Sequence, residues 1–282
     1  MKYIVGFSGG IDSQATARWV LNRFPKEDVI LVNTDAGGNE HPLTVEHVAW
    51  YSASVHPVTH VHAIVADMWI GKDEPEKHGY SPTEPLTFAL MAKIKGRFPS
   101  RMAQFCTEIL KLRPVRRWVN EQFPDGDYEH YSGVRRDESA RRKETVAREW
   151  NDYFDAYRNH PIMDWSKEMC FAYVKAHGEQ INPLYSLGFN RVGCAPCINS
   201  SKDDILNWSQ RFPEMIDKIR GWEQQAGSTF FAPMVPGIPK PFYNTVDEVV
   251  AWAQTSRGGK QTDLLRVIND RPACESSYGL CE

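Results

Sequence analysis

The chain has 282 residues, with 33 Lys and Arg against 36 Asp and Glu, a net charge of −3. Apolar residues make up 41% and charged residues 24%, which is the globular range and excludes wholesale disorder. No run approaches the roughly 18 apolar residues of a membrane span, and the near-neutral charge excludes a purely electrostatic, histone-like DNA binder. The start MKYIVGFSGG has no secretory h-region, so the chain reads as cytoplasmic.

Lys2–Phe7 predicts a buried strand. Ser13–Phe24 has helical spacing and stops at Pro25. Val29–Asn33 predicts a second strand, Leu43–Ser54 a second helix and Val61–Val65 a third strand. This alternation predicts an α/β fold, a doubly wound and mostly parallel sheet with crossover helices. Right-handed crossovers place the loops after the strands along one edge. Residues 71–85 read as a loop, and helices follow at 86–96 and 108–123. Tyr128–Val134 predicts another strand, and 136–150 is strongly charged. Helical stretches recur near 166–177 and 203–225. Pro233, Pro236, Pro239 and Pro241 make 228–243 irregular, and a helix near 245–255 precedes the tail.

The strongest local signal is Ser8-Gly9-Gly10-Ile11-Asp12-Ser13, between the first strand and the first helix. Two glycines let the backbone turn tightly and aim amide N–H groups at an anion. The helix adds its positive N-terminal end. Ser8 and Ser13 offer hydroxyls to phosphate oxygens. Asp12 repels a bare phosphate, so its useful roles are binding Mg²⁺ or organising the loop. The plain alternative is a Gly-rich turn with a serine cap. The Gly-Lys-Ser/Thr ending of a Walker loop is missing.

SGGIDS resembles the pyrophosphate loop of the adenine nucleotide alpha hydrolases, the PP-loop ATP pyrophosphatases. Further segments, in family order, resemble the phosphoadenylylsulfate (PAPS) reductase branch. These are Asn33-Thr34-Asp35 with Glu40-His41-Pro42, and Cys106 with Lys111 and Pro114. Gly133-Val-Arg135 with Glu138, Ser139 and Arg142 follows, then Pro161-Ile-Met-Asp164-Trp165. The last is Asn182-Pro183-Leu184-Tyr185 with Gly188, Gly193 and Cys194. The resemblance covers about residues 3–200. It implies a Rossmann-like nucleotide-binding domain over 1–200 and a helical and irregular extension over 201–282.

Arginine binds phosphate or sulfate bidentately, and Arg135 follows a predicted strand, so it belongs at the ligand edge. Lys111 adds a point charge, and the resemblance assigns Arg142 to the nucleotide as well. Thr34 and Asp35 end the second strand, beside the ribose or base in this architecture, or in an Asx-type turn. Arg136, Arg141 and Lys143 read equally well as a solvated, salt-bridged face.

There are six cysteines. Cys194-Ala-Pro-Cys197 has the spacing of a metal or cluster grip. The resemblance implies that Cys106 joins this pair around a [4Fe–4S] cluster. The tail offers Cys274 and Cys281, one as a fourth ligand and one as a mobile sulfur-carrying thiol, with Cys274 taken as the ligand. Zinc fits the same ligands. The reductases carry a Cys-Cys pair where this chain has Cys106-Thr107. Cys170 reads as buried core.

The reductases end in a catalytic cysteine motif, whereas this chain ends SSYGLCE, keeping Cys281 without the motif's histidine. The layout is closest to the DndC-type DNA phosphorothioation proteins. It implies a nucleotide-activating sulfurtransferase using ATP and Mg²⁺. Asp12, Lys111, Arg135 and Cys281 would be its catalytic residues. A cysteine desulfurase would donate sulfur, DNA or DNA-handling proteins would be partners, and a homodimer is compatible. Reduction of PAPS or adenylylsulfate to sulfite is the alternative.

Overall fold

The computed structural model describes residues 1–69, 75–100, 103–231 and 245–255. Six strands form one sheet in the order β3-β2-β1-β4-β6-β5. β1 (Lys2–Gly6), β2 (Val29–Asn33), β3 (Val58–His60), β4 (Tyr128–Tyr131) and β6 (Ala156–Asn159) run parallel. β5 (Arg148–Asn151) closes the edge antiparallel to β6. The fold is therefore the α/β, mostly parallel arrangement that the alternation predicts.

β1 and β2 read as continuous apolar runs because both of their faces are covered. On one face Val5, Phe7 and Leu31 pack with Val20 and Leu21 of α1 (Ile11–Leu21) and Val48 of α2 (Pro42–Ser54). On the other, Ile4 and Val32 meet Val115 and Val119. The sheet order reverses at β1, with β2 and β3 on one side and β4 and β6 on the other. The exits of β1 and β4 therefore lie side by side, the position where doubly wound sheets bind ligands.

The chain between β3 and β4 forms α3 (Phe88–Lys95), the short α4 (Phe105–Thr107), a π-helical turn (Glu108–Leu112) and α5 (Arg113–Gln122). One predicted helix thus becomes three pieces. Pro114 supplies no N–H for the Leu110 carbonyl, and the ladder widens just before it.

Other expectations shift in instructive ways. The third strand is Val58–His60 rather than 61–65. Val61, Ala63 and Val65 are buried, but the 82–86 segment covers them, through the backbone bonds Val65 to Glu84 and Leu86 to Ala63. β4 ends at Tyr131, three residues early. The charged stretch before 150 leads into an unpredicted hairpin, β5–β6, turning at Asp155 with φ +53°. The helical stretch 203–225 is two helices, α7 (Lys202–Arg211) and α8 (Pro213–Ala226), divided where Pro213 opens the second.

α6 (Lys167–Ala176) packs on α1, and Cys170 is fully buried there, as expected. α7, α8 and α9 (Val246–Ala253) share one hydrophobic cluster with α3 and the π turn. Trp208, Trp222 and Trp252 are buried in it, so all three tryptophans are core. Among the described residues no helix is long and apolar enough to cross a membrane.

A polar knot ties α1 to α2 and to the chain after α6. Glu179 accepts bonds from Gln14 Nε2 (2.9 Å), Arg18 Nε (2.5 Å) and the Tyr51 hydroxyl (3.4 Å). His47 Nε2 lies 3.3 Å from Gln14 Oε1. Burial lowers the pKa of His47 to about 4, and burial also lowers that of His160 to about 4. Each therefore binds a proton in the unfolded chain near pH 6.5 and in the folded chain only near pH 4. Their stabilisation is complete above pH 6.5 and is lost as pH falls toward 4, roughly 2 kcal/mol for each at pH 5. Urea midpoints measured from pH 7 to pH 5 are expected to fall, and His47→Gln should flatten that slope.

Candidate functional site

The loop between β1 and α1 is closed by its own serines. Ser13 Oγ donates to the Gly10 carbonyl (2.9 Å) and accepts from Ser8 N (3.2 Å) and Ser8 Oγ (3.1 Å). Gly9 sits at φ +80°, where a side chain would also meet Val48 at 3.0 Å. Two residues of the Asn-Pro-Leu-Tyr segment brace this turn. Asn182 Nδ2 donates to the Gly9 carbonyl (3.3 Å) and to Thr44 Oγ1 (3.1 Å). The Tyr185 hydroxyl accepts from Ile11 N (3.0 Å). Neither role was legible beyond membership of the motif.

The exit of β4 presses onto the same loop. A Cβ at Gly133 would lie 2.7 Å from the Asp12 carbonyl carbon and oxygen. That approach delivers Arg135. Its Nε stands 2.8 Å from Asp12 Oδ2, both side chains about one-twentieth exposed, and it also pairs with Asp137. Burial alone would lower the Arg135 pKa, but the carboxylates of Asp12 and Asp137 outweigh it and the net shift is upward. Asp12 and Arg135, expected to act separately on metal and phosphate, are thus brought together as a buried pair. A bound phosphate competes with Asp12 for the guanidinium, and a bound cation competes with Arg135 for the carboxylate.

The charge continues outward. Arg142 pairs with Glu138. Burial raises the Glu138 pKa, against Arg142, Arg191 and Arg135, which lower it. Arg136 is half-exposed and pairs with Asp164 (2.6 Å), the salt-bridged face that composition allowed. Thr34 is buried at the end of β2, and its hydroxyl has no partner among the described residues. Asp35 makes the Asx-type turn, accepting from Gly37 N (3.0 Å), with His62 Nδ1 3.3 Å from its other oxygen.

Beyond these lies an open pocket, with about 490 Å³ of free space when the adjoining solvent is counted. Cys106 from α4, Lys111 from the π turn, and Arg191, Cys194 and Cys197 from one loop line it. Lys111 is 2% exposed, because the widened turn rotates it inward. The cysteine loop is pinned to the chain after β2 by Ala195 N to Asn39 O (3.0 Å) and Asn39 Nδ2 to Pro196 O (2.9 Å). Asn199 N donates to Cys197 Sγ (3.4 Å). Lys218 of α8 reaches the Gly38 carbonyl (3.1 Å), so the extension also touches this wall. Arg191 carried no sequence signal and is placed only by the fold.

The structure thus gathers Cys106, Cys194 and Cys197 around one space, as the resemblance implied. Cys274 and Cys281 lie outside the described residues. Among the described residues no group of three or more His, Cys, Asp or Glu side chains is placed to hold a metal ion. The described residues alone therefore do not fit a cluster or zinc, and no step below passes through either.

Gly133→Ala is expected to destabilise the fold by about 1–3 kcal/mol, since the new methyl must displace backbone rather than a side chain. Denaturant unfolding of the variant beside the parent measures this.

Comparison with known proteins identifies the family. The phosphoadenosine phosphosulfate reductase domain matches residues 2–200. An uncharacterized 37.8 kDa protein of Escherichia phage 186 is 30% identical over 99% of this chain and 96% of its own length. The adenosine 5'-phosphosulfate reductase of Allochromatium vinosum is 33% identical over 35% of this chain, and that match spans 36% of the reductase. The phosphate complex of PAPS reductase from Candida auris aligns with a TM-score of 0.47 and 15% identity, covering 69% of this chain and 81% of that one. The match of this domain over residues 2–200, most of the chain, places this protein in the phosphoadenosine phosphosulfate reductase domain family.

Proposed function

We propose that the chain is a nucleotide-activating sulfurtransferase with ATP pyrophosphatase chemistry. The observation that carries this reading is the buried Asp12–Arg135 pair against the phosphate loop, in a protein whose cysteine-lined pocket also holds Lys111 and Arg191. A carboxylate at a phosphate loop suits a Mg²⁺-bound nucleotide. When Mg²⁺-ATP binds, Asp12 turns to the cation and Arg135 to the phosphates, and each gains a partner for the one it gives up.

An acceptor oxygen, in this reading from a DNA backbone phosphate, attacks the α-phosphorus. The bond to the β-phosphate oxygen breaks and pyrophosphate leaves. The loop amides, Lys111 and Arg135 act by alignment and charge neutralisation. The outer sulfur of a persulfide on Cys281, loaded by a cysteine desulfurase, then attacks the acceptor phosphorus, and AMP leaves. A thiol reductant attacks the Cys281 sulfur, releasing the thiolated acceptor. A second thiol frees Cys281 from the mixed disulfide.

The adenosine 5'-phosphosulfate reductases among the relatives favour a second reading. There the Cys281 thiolate attacks the sulfur of a sulfonucleotide, the nucleotide phosphate leaves, and reduction of the S-sulfonate releases sulfite. Incubation with Mg²⁺-ATP, acceptor, a cysteine desulfurase with cysteine, and a thiol reductant separates the two. Pyrophosphate and AMP are expected, with at least a 100-fold loss in Asp12→Ala, the scale of one preorganised charge. Sulfite from PAPS or adenylylsulfate, without ATP turnover, would replace the first reading by the second.

A [4Fe–4S] cluster, with zinc as the alternative, belongs to the proposal only with a ligand from outside the described residues. Cys274 is that candidate, beside Cys106, Cys194 and Cys197. Metal analysis of anaerobically purified protein is expected to show loss of bound metal in Cys274→Ser. Full retention there would remove Cys274 from the ligand set.

A further inference from the structure

From Pro85 to Thr107 the sequence contains Lys93, Lys95, Arg97 and Arg101 and no Asp or Glu, in a chain whose net charge is −3. Three of these lie among the described residues. Lys93 and Lys95 occupy the last turn of α3, Gly96 caps the helix at φ +63°, and Arg97 follows. All three are exposed. Among the described residues none of them forms an ion pair, whereas Arg113, Arg136, Arg148 and Arg220 each do. The helix C-terminus accounts for a preference for cations at this end. It does not account for the absence of any acidic neighbour in sequence or of any ion pair in space.

The placement is what makes the patch informative. Lys95 Nζ lies 5.9 Å and Arg97 Cζ 5.3 Å from the centre of the Phe105 ring. The next residue is Cys106, on the pocket wall. Phe88, the first residue of α3, lines the same pocket. The helix therefore runs from the pocket to the patch, a span of roughly 10 Å for eight residues. Phosphates along one strand of a duplex are about 3.4 Å apart along the axis. A span of about 10 Å covers roughly three such phosphates, so a strand with one phosphodiester at the pocket has neighbours along the length of α3. The face of Phe105 is already occupied by the two cations, so the surface offers charge rather than a stacking platform.

We propose that Lys93, Lys95 and Arg97 form a docking surface for the phosphate backbone of a nucleic-acid strand entering the cysteine pocket. This deepens the acceptor reading above and rests on it. The reacting phosphate sits at the pocket, where Lys111 lies, and the patch holds its neighbours. Recognition is of backbone charge and is independent of base sequence.

The test is fluorescence anisotropy of the whole protein with labelled oligothymidylate and with a labelled duplex, over a salt series. The parent is expected to bind. The triple reversal of Lys93, Lys95 and Arg97 to Glu should lower affinity at least tenfold and flatten the dependence of log K on log salt by about 2–3. All three side chains are exposed, so an unchanged thermal midpoint verifies the fold. Failure of the parent to bind, or an unchanged affinity and salt slope in the variant, overturns the proposal. Equal or tighter binding of polyglutamate, lost in the same variant, also overturns it, because the patch then serves an acidic protein. Lack of ATP turnover with intact, patch-dependent binding would instead count against the sulfurtransferase reading and leave the surface standing.

Discussion

Everything at this site depends on the approach of the β4 exit to the first turn of α1. Gly133 leaves no room for even a methyl between the two backbones, and this brings Arg135 onto Asp12. A side chain there would push the strands' exits apart and separate the pair. The same approach sets where the neighbouring groups fall, from Glu138 and Arg142 to the pocket wall. The buried ion pair is costly to assemble without a ligand, since two charges are desolvated for one contact. Each charge of the pair would be met by an opposite partner in a bound ligand that carries both a cation and phosphate, as the proposed function requires.

The second organising feature is how two distant segments come to share one cavity. Pro114 removes a backbone donor, the helix widens into a π turn, and Lys111 rotates inward beside Cys106. Asn39 then fastens the Cys194–Cys197 loop to the chain after β2. Cys194 takes part in this fastening through its backbone bridge to Glu40, which fixes the chain that carries the thiols.

Much of this was legible in the residues. The apolar runs at 2–7 and 29–33 are strands buried on both faces, and such runs have few other solutions. The tight turn at Ser8–Ser13 was readable because its glycines and serines sit between a strand and a helix. Val61–Val65 misled because burial by a crossing segment leaves the same alternation as burial in a sheet. The β5–β6 hairpin was invisible because its residues, Arg148, Glu149, Asn151 and Arg158 among them, are polar at an open edge. The Asp12–Arg135 pair and the position of Arg191 depend on tertiary contacts that no local pattern encodes. The roles of Asn182 and Tyr185 as braces for the turn lie in the same class.

The tryptophan-rich extension has a consequence for the surroundings of the thiols. Its helices share their apolar interior with α3 and the π turn, while α1 packs with α2 and α6. Cys106, Cys194 and Cys197 stand half-buried in the pocket wall. Trp222 of the extension packs against Phe88, which lines that same pocket, with ring centres 5.0 Å apart. Trimming Trp222 would therefore reshape the wall beside the thiols while leaving the packing of α1 on α2 and α6 intact.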